Sequence, residues 1–215
     1  MKEPGPPLIL ASASPRRKEI LEAHGHSPIV IPSGVDETLP DDAAYSPEQT
    51  TIYLAELKAE AVLCALDPMD WPRGCLILGV DTIVYKDVII GKPVDEDDAL
   101  RILRSLKNSS HEVISGVCLI NAKPQLPGLG SKPSGADHKM STLAPLEKNS
   151  FYDITTVRFG DYTDEEILAY IRANPPYDKS GSYAIQSEWG RHVLELNGDI
   201  ENVIGLPMKK LSDYL

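Results

Sequence analysis

The alternation of short apolar segments with capped helical segments restricts this sequence most strongly to one class of fold. Leu8–Ala11 is a short apolar run between prolines and serines, which predicts a buried strand. Ser14 and Pro15 follow, and a hydroxyl residue before a proline is typical of a helix start. The capping box at 46–49 predicts a second, long helix from about Pro47 to Leu66.

The middle of the chain replaces this alternation with hairpins. Cys75–Gly79 is a continuous apolar segment, and the apolar arms Thr82–Tyr85 and Val88–Ile90 predict a hairpin. Val113–Ile120 and Tyr152–Phe159 predict further strands. Later helices are predicted to start near Asp95, Thr163 and Pro207. Early alternation followed by hairpins predicts an α/β fold with a mixed sheet.

Length and charge exclude several classes of protein. The chain has 215 residues and 42% hydrophobic content, which favours a single domain over 1–215 with one substantial core. Its net charge of −11 repels long polyanions, so neither a nucleic acid polymer nor an anionic membrane is an expected partner. The three cysteines form no C-x-x-C pair, which favours a reducing cytoplasm and disfavours a zinc site. We expect a cytoplasmic location, because the start lacks a signal-peptide pattern and no apolar stretch is long enough to span a bilayer.

Residues 121–150 differ from the rest of the chain in composition. They are rich in Pro, Gly, Ser and Lys and show no apolar period. The segment therefore predicts a mobile loop or insertion within the single domain.

The strand-to-helix junction at 12–17 carries the first candidate site. Ser12, Ser14, Arg16 and Arg17 combine two hydroxyls and two guanidinium groups with the free N–H groups of a helix start. These groups would suit a phosphate chain. An ordinary capped helix with two solvated arginines is the alternative that the local sequence leaves open.

Acidic and basic candidates follow in the next loop and helix. Asp36 and Glu37 could offer hard oxygen ligands to Mg²⁺ or Mn²⁺, or simply form a solvated acidic turn. Lys58 lies on the apolar face of its predicted helix, with Leu54 and Val62 among its neighbours. Its ammonium group needs a partner or a ligand there, unless the side chain extends past small residues to water.

Asp81, Thr82 and Lys92 form a candidate site at the predicted hairpin. The strand before Asp81 is so apolar that we expect the carboxylate to follow the strand, at the edge where an open α/β sheet binds ligands. A carboxylate there can deprotonate a water, and Lys92 can neutralise charge on phosphate oxygens. The alternative is a strand-end turn with an aspartate cap.

Gln186 ends a small-residue loop at 178–186. Its amide presents donors and an acceptor, which suits the edge of a pyrimidine ring. The alternative is a surface loop followed by a strand, in which Gln186 is merely polar.

The order of these segments resembles the Maf-like nucleoside triphosphate pyrophosphatases. The matching segments are LILASASPRRKEIL, SGVDET, YLAELKAEAV, LGVDTIVYKDVIIGKP, ALRILRSLKNSSHEVISGV, TTVRF, YDKSGSYAIQ and ENVIGLP. The resemblance implies an elongated mixed α/β fold, Maf/ITPase-like, with two lobes around a deep cleft and usually a homodimer. It also implies hydrolysis of the α–β phosphate bond of a nucleoside triphosphate with Mg²⁺ or Mn²⁺.

The resemblance also assigns roles to individual residues. Asp81 matches the proton acceptor of the family, and we expect Glu37 and Asp81 to hold the metal. The match extends to Ser12, and Arg17, Lys58 and Lys92 are expected on the phosphate chain. Arg16, Thr82 and Gln186 resemble the branch that acts on dTTP and UTP, with CTP or modified pyrimidine nucleotides as further candidates. Ser115 stands where threonine is commoner, a difference that we expect to be silent.

Two other functions remain as alternatives. One is a nucleotide-sensing inhibitor of cell division that acts by binding, a role also associated with this family. The basic and acidic matches argue against a purely non-catalytic role. The other is a carboxylate-based hydrolase of a different small substrate, which would use the acidic residues without the basic ones.

Overall fold

The computed structural model describes residues 5–40, 44–125 and 142–215. Within these ranges the chain forms a seven-stranded sheet with helices packed against it. The strands are β1 Leu8–Leu10, β2 Ile29–Val30, β3 Cys75–Lys86, β4 Val88–Ile90, β5 Ser110–Gln125, β6 Thr142–Phe159 and β7 Val193–Asn197. The helices are α1 Pro15–Ala23, α2 Pro47–Ala65, α3 Glu96–Leu106, α4 Asp164–Ala173, α5 Ile200–Ile204 and α6 Met208–Leu211. Short 3₁₀ turns occupy Pro68–Asp70, Ser180–Ser182 and Glu188–His192.

The sheet is mixed, which confirms the predicted fold class. Its strand order is β2-β1-β3-β5-β6-β7, and β4 pairs with β3 outside this path. β1 runs parallel to both β2 and β3, whereas the other strand pairs are antiparallel. Among the described residues, no helix combines the length and apolar character needed to cross a membrane.

Two glycines let α2 lie directly on the sheet. A Cβ atom at Gly79 would lie 2.1 Å from the carbonyl oxygen of Ala55, and one at Gly116 would lie 2.2 Å from the carbonyl carbon of Thr51. Such distances are impossible for real atoms, so only glycine allows this approach. The close contact places the middle of α2 beside the middle of β3, which decides the position of Lys58.

Asp81 lies inside β3, which corrects the prediction that it follows the strand. β3 runs unbroken through this position, where Asp81 pairs with Gly116 of β5 and is 7% exposed. β5 pairs along most of β3, which satisfies the backbone, and Lys58 compensates the buried carboxylate. β1 ends at Leu10, opposite Leu78. Asp81 therefore lies just beyond the end of the neighbouring strand, which leaves room for a cleft.

The predicted loop at 121–150 is wrong at both of its ends. β5 extends to Gln125 and β6 begins at Thr142, so these ends form an antiparallel ladder. A ladder is held by backbone hydrogen bonds and does not require apolar residues at regular spacing. The composition of the segment therefore gave a wrong prediction at its ends. Polar contacts support it, since Lys148 of β6 bonds to Glu56 and Glu60 of α2. The central part of the predicted loop, 126–141, lies outside the described residues.

An aromatic group, called the aromatic core below, fills the space between the far half of the sheet and helices α3 and α4. Its members are His111, Phe159, Tyr162, Tyr183 and Trp189. Aliphatic clusters occupy the region around β1 and the first half of β3. Tyr183 reaches the wall of the cleft, so the aromatic core supports one side of it.

Candidate active site

A cleft of about 740 Å³ opens beside β3, where β1 has ended. Its walls come from the β1–α1 junction, the loop after β2, α2, β3, the loop after β4, the 178–186 loop and the end of α5. All candidate residues from the sequence except Asp36 line it: Ser12, Ser14, Arg16, Arg17, Glu37, Lys58, Asp81, Thr82, Lys92 and Gln186. The tertiary structure therefore brings together residues that are up to 174 positions apart, between Ser12 and Gln186.

Lys58 joins the two carboxylates of the cleft. Its Nζ lies 2.6 Å from Asp81 Oδ1 and 3.1 Å from Glu37 Oε1. The lysine is 6% exposed, so its ammonium is buried with partners and does not extend to water. Of the two interpretations that the sequence left open, the structure supports the paired one. The buried ammonium therefore lies between two carboxylates, whose negative charges compensate it.

Asp36 and Glu37 have separate positions despite being neighbours. Asp36 Oδ1 accepts hydrogen bonds from the backbone N of Thr38 at 3.0 Å and from its Oγ1 at 2.7 Å. These bonds hold the pKa of Asp36 below its usual value. Glu37 instead reaches Lys58 across the cleft, with its side chain 48% exposed. The loop therefore offers one carboxylate to the site and keeps the other for its own turn.

Arg17 is held at all three guanidinium nitrogens. Nε donates to the carbonyl oxygen of Gly205 at 2.9 Å, Nη1 to Ser12 Oγ at 2.8 Å and Nη2 to Thr82 Oγ1 at 3.2 Å. Burial lowers its pKa, while the charge of Asp81 raises it. Arginine nonetheless stays charged in proteins, so a fixed cation faces the cleft.

Arg16 points to the opposite wall. Its Nη1 lies 3.0 Å from Asp178 Oδ2, and Asp178 also pairs with Lys179. Burial alone would raise the pKa of Asp178, but the hydrogen bonds from Lys179 and Arg16 outweigh it and hold the pKa below its usual value. This contact joins the start of α1 to the 178–186 loop across the cleft.

The first turn of α1 lies beside these arginines and has no side-chain cap. Ser14 is the N-cap residue, as predicted, but its side chain makes no capping hydrogen bond. Its own backbone N donates to Ser12 Oγ at 3.3 Å. Backbone N–H groups in the first turn of a helix have no partner within the helix, and they attract anions.

The 178–186 loop is attached to β3, which carries Asp81, and to the segment after β4, which carries Lys92. Ser180 Oγ donates to the carbonyl oxygen of Thr82 at 3.3 Å, and Gly181 N donates to that of Gly91 at 3.2 Å. Gly181 has φ of 75°, where glycine is favoured. Lys92 and Gln186 are both exposed on the cleft wall.

Comparison with known proteins gives the family. The family model described as "Maf-like protein" matches residues 7–215. The chain belongs to the Maf-like protein family. It is 40% identical to a dTTP/UTP pyrophosphatase of Desulfitobacterium hafniense (strain Y51), over 97% of this chain and 83% of the relative. It is 39% identical to one of Bacillus thuringiensis subsp. konkukian (strain 97-27), over 95% and 91%. The identity to one of Agathobacter rectalis is 34%, over 97% and 95%.

Within this Maf-like chain, several residues with structural contacts at the site had no predicted role. Asp178 and Gly205 belong to matched segments, YDKSGSYAIQ and ENVIGLP, but no spacing or composition signal connects them to Arg16 or Arg17. The hydroxyl of Thr82, a residue that resembles the dTTP and UTP branch, contacts Arg17 and lies 2.9 Å from Ser115 Oγ. Only the folded chain reveals these contacts.

Proposed function

We propose that this Maf-like protein is a nucleoside triphosphate pyrophosphatase, which hydrolyses dTTP and UTP to the monophosphate and pyrophosphate. The observation that carries the proposal is the arrangement of Asp81 in the cleft, with the cations Lys58 and Arg17 close by. Such a site can bind a triphosphate and also supply a base. The names of the relatives give the same reaction and substrates for those proteins.

In the proposed reaction, Asp81 orients a water molecule and accepts its proton. The water oxygen forms a bond to the α-phosphorus, the bond from the α-phosphorus to the bridging oxygen breaks, and pyrophosphate leaves with the bonding electrons. Arg17, Lys58 and Lys92 offset the negative charge that develops on the phosphate oxygens. The uncapped start of α1 supplies backbone donors to the same phosphate chain.

The carboxylates of the cleft suit a hard divalent cation. Among the described residues, no cluster of three or more His, Cys, Asp or Glu side chains forms a complete protein site. Mg²⁺ is commonly bound by one or two carboxylates together with substrate phosphates, and Glu37 and Asp81 provide this donor set. We therefore assign these two residues to a Mg²⁺ or Mn²⁺ ion, which would neutralise phosphate charge when bound.

The base is proposed to lie near the 178–186 loop. Gln186 is exposed on this wall and offers an amide to the edge of thymine or uracil. Arg16 and Asp178 border the same wall.

We also propose that the protein is cytoplasmic and forms a homodimer. Light scattering on the purified protein tests the dimer.

A nucleotide panel tests the function. Purified protein is incubated with dTTP, UTP, CTP, dATP and 7-methyl-GTP, with and without Mg²⁺ or Mn²⁺, and pyrophosphate and orthophosphate are measured separately. We expect equal amounts of monophosphate and pyrophosphate from dTTP and UTP, and only with metal present. Tight nucleotide binding without turnover would instead support a sensing protein, and release of orthophosphate alone would reject cleavage at the α-phosphorus.

A further inference from the structure

The contacts of Arg17 leave few of its donors for a ligand. A guanidinium group has five N–H donors, and three are used by Gly205, Ser12 and Thr82. One N–H group remains on each terminal nitrogen. The direction of these two groups depends on where the three acceptors lie, so the acceptors control how Arg17 meets a phosphate.

The acceptor of Nε is positioned by the end of α5. Gly205 follows the helix with φ of 128°, a conformation that side chains disfavour. Its backbone N donates to the carbonyl oxygens of Glu201 at 3.0 Å and Asn202 at 3.1 Å. The carbonyl oxygen of Gly205 is therefore aimed at Arg17 by the last turn of α5. Any displacement of this turn moves the acceptor.

Asn202 fixes this turn to the sheet. Its side chain is fully buried, and Nδ2 lies within hydrogen-bond distance of the carbonyl oxygen of Val113 at 3.0 Å and of Thr155 Oγ1 at 3.1 Å. The carbonyl oxygen of Asp153 lies further away, at 3.4 Å. These acceptors belong to β5 and β6, so one amide ties a five-residue helix to two strands.

Asn202 is also linked to Thr82, another acceptor of Arg17, through the hydroxyl of Ser115. The hydroxyl of Ser115 is fully buried, lies 2.9 Å from Thr82 Oγ1 and donates to the carbonyl oxygen of Asn202 at 3.4 Å. Ser115 lies opposite Thr82 in the β3–β5 ladder. Two of the three acceptors of Arg17, in Gly205 and Thr82, thus connect to the same buried asparagine.

We propose that Asn202, with Ser115, is a positioning residue that sets the orientation of the Arg17 guanidinium toward a substrate phosphate. Neither residue lines the cleft, so neither contacts a bound substrate there, and their hydrogen bonds lead to it through Arg17 and its acceptors. The role in catalysis rests on the proposed function, whereas the orientation of Arg17 does not. A small displacement of a phosphate-binding group lowers the rate because the bound geometry no longer matches the transition state.

A double-mutant cycle separates positioning from general stability. We expect Asn202→Ala to lower kcat/KM for dTTP about tenfold to a hundredfold in the wild-type background, in line with a small displacement of a substrate-binding group. In the Arg17→Ala background, Asn202→Ala should lower kcat/KM by less than about twofold, because the group that Asn202 positions is gone. Equal factors in both backgrounds would overturn the proposal.

Ser115 provides a second cycle if Asn202→Ala fails to fold. Ser115→Ala removes the hydroxyl between Thr82 and Asn202, whereas Ser115→Thr keeps it. We expect loss of kcat/KM with alanine, recovery with threonine, and no effect of alanine once Arg17 is removed. Equal activity of the alanine and threonine variants would reject the role of Ser115.

A spectroscopic measurement tests the orientation without relying on turnover. In ¹⁵N-labelled protein, the Arg17 Nε–H signal is identified by its loss in Arg17→Lys. We expect slow hydrogen exchange in the wild type, because Nε donates to Gly205, and exchange faster by at least about tenfold in Asn202→Ala or Ser115→Ala. Unchanged exchange would contradict positioning. Absence of pyrophosphate release by the wild type would reject the proposed function and leave this measurement valid.

Discussion

Tyr183 lies at the border between the cleft and the aromatic core. The two regions differ in whether their buried polar groups have partners. In the cleft, the buried charges have partners: Lys58 bonds to Asp81, and Arg17 donates to three acceptors. Burial of a charge is tolerated when an opposite charge or several hydrogen bonds compensate it. The cleft is therefore a preformed set of paired charges that a ligand can rearrange.

The aromatic core leaves buried polar atoms without partners among the described residues. These atoms are His111 Nδ1, Trp189 Nε1 and, in the adjoining turn, Ser182 Oγ. Burial, with a smaller contribution from the charge of Lys86, lowers the pKa of His111 to about 4. The ring therefore stays neutral at physiological pH. In these two regions, the buried charges of the cleft have compensating partners, whereas the buried histidine of the aromatic core is neutral.

The largest effect is expected from neutralising Asp81, the proposed proton acceptor. Asp81→Asn removes a proton acceptor but little volume, so we expect kcat to fall by about 10²–10⁴ while nucleotide binding survives. Turnover and the dissociation constant for dTTP are measured side by side. Asp87→Asn is the matched control, because Asp87 is exposed in the β3–β4 turn and its φ of 60° suits asparagine. Turnover within a few-fold of wild type would remove Asp81 from the chemistry.

Lys58→Met tests the mutual dependence of the paired charges. The apolar helix face alone would favour methionine, but the structure reverses this expectation because Asp81 loses its partner. We expect the free energy of unfolding in urea to fall by about 3 kcal/mol, together with loss of activity.

The double variant Lys58→Met/Asp81→Asn should recover part of this stability, since the buried carboxylate is gone and Glu37, which also loses its partner, has a side chain that is 48% exposed. Lys148→Met is the control, because its ion pairs with Glu56 and Glu60 are at the surface and are worth less than about 1 kcal/mol. Equal losses at Lys58 and Lys148 would contradict the contrast between buried and exposed pairs.

The aromatic core should respond to acid through His111. Its pKa falls from 6.5 to about 4 on folding, so the unfolded chain takes up the proton first as the pH drops. This contribution to stability is complete above about pH 6.5 and decreases toward pH 4, by about 3 kcal/mol in total. Urea unfolding at several pH values should show this loss in wild type and in the exposed control His24→Gln, and a smaller loss in His111→Gln. The same pH dependence in both variants would show that His111 is not responsible.

The smallest effect is expected at the rim between the two regions. Gln186→Glu replaces an amide that can both donate and accept with a group that only accepts, which opposes the carbonyl oxygens of thymine. We expect kcat/KM for dTTP to fall by about tenfold to a hundredfold, with 7-methyl-GTP affected less. Gln49→Glu at the exposed start of α2 controls for added charge. An equal fall for both nucleotides would mean that Gln186 does not read the base.

Local signals predicted the helices well and the strand ends poorly. The capping box at Ser46 forms as predicted, and the helix predicted to start near Thr163 begins with another, because a cap depends on residues three positions apart. The ends of β3 and β5 were misplaced because a strand continues as long as a distant partner pairs with its backbone. The predicted strand stops at Gly79, but pairing with β5 continues β3 through Asp81.

The sequence by itself determined the mixed α/β class, the capped helices and ten of the residues that line the cleft, because these follow from periodicity, short-range chemistry and family resemblance. Only the tertiary structure decided which groups are partners. Lys58 meets Asp81 because Gly79 and Gly116 let α2 touch the sheet. Arg17 is oriented by a carbonyl oxygen at Gly205, 188 positions away. Such contacts depend on packing between remote segments, and no local pattern in the sequence encodes their distance or direction.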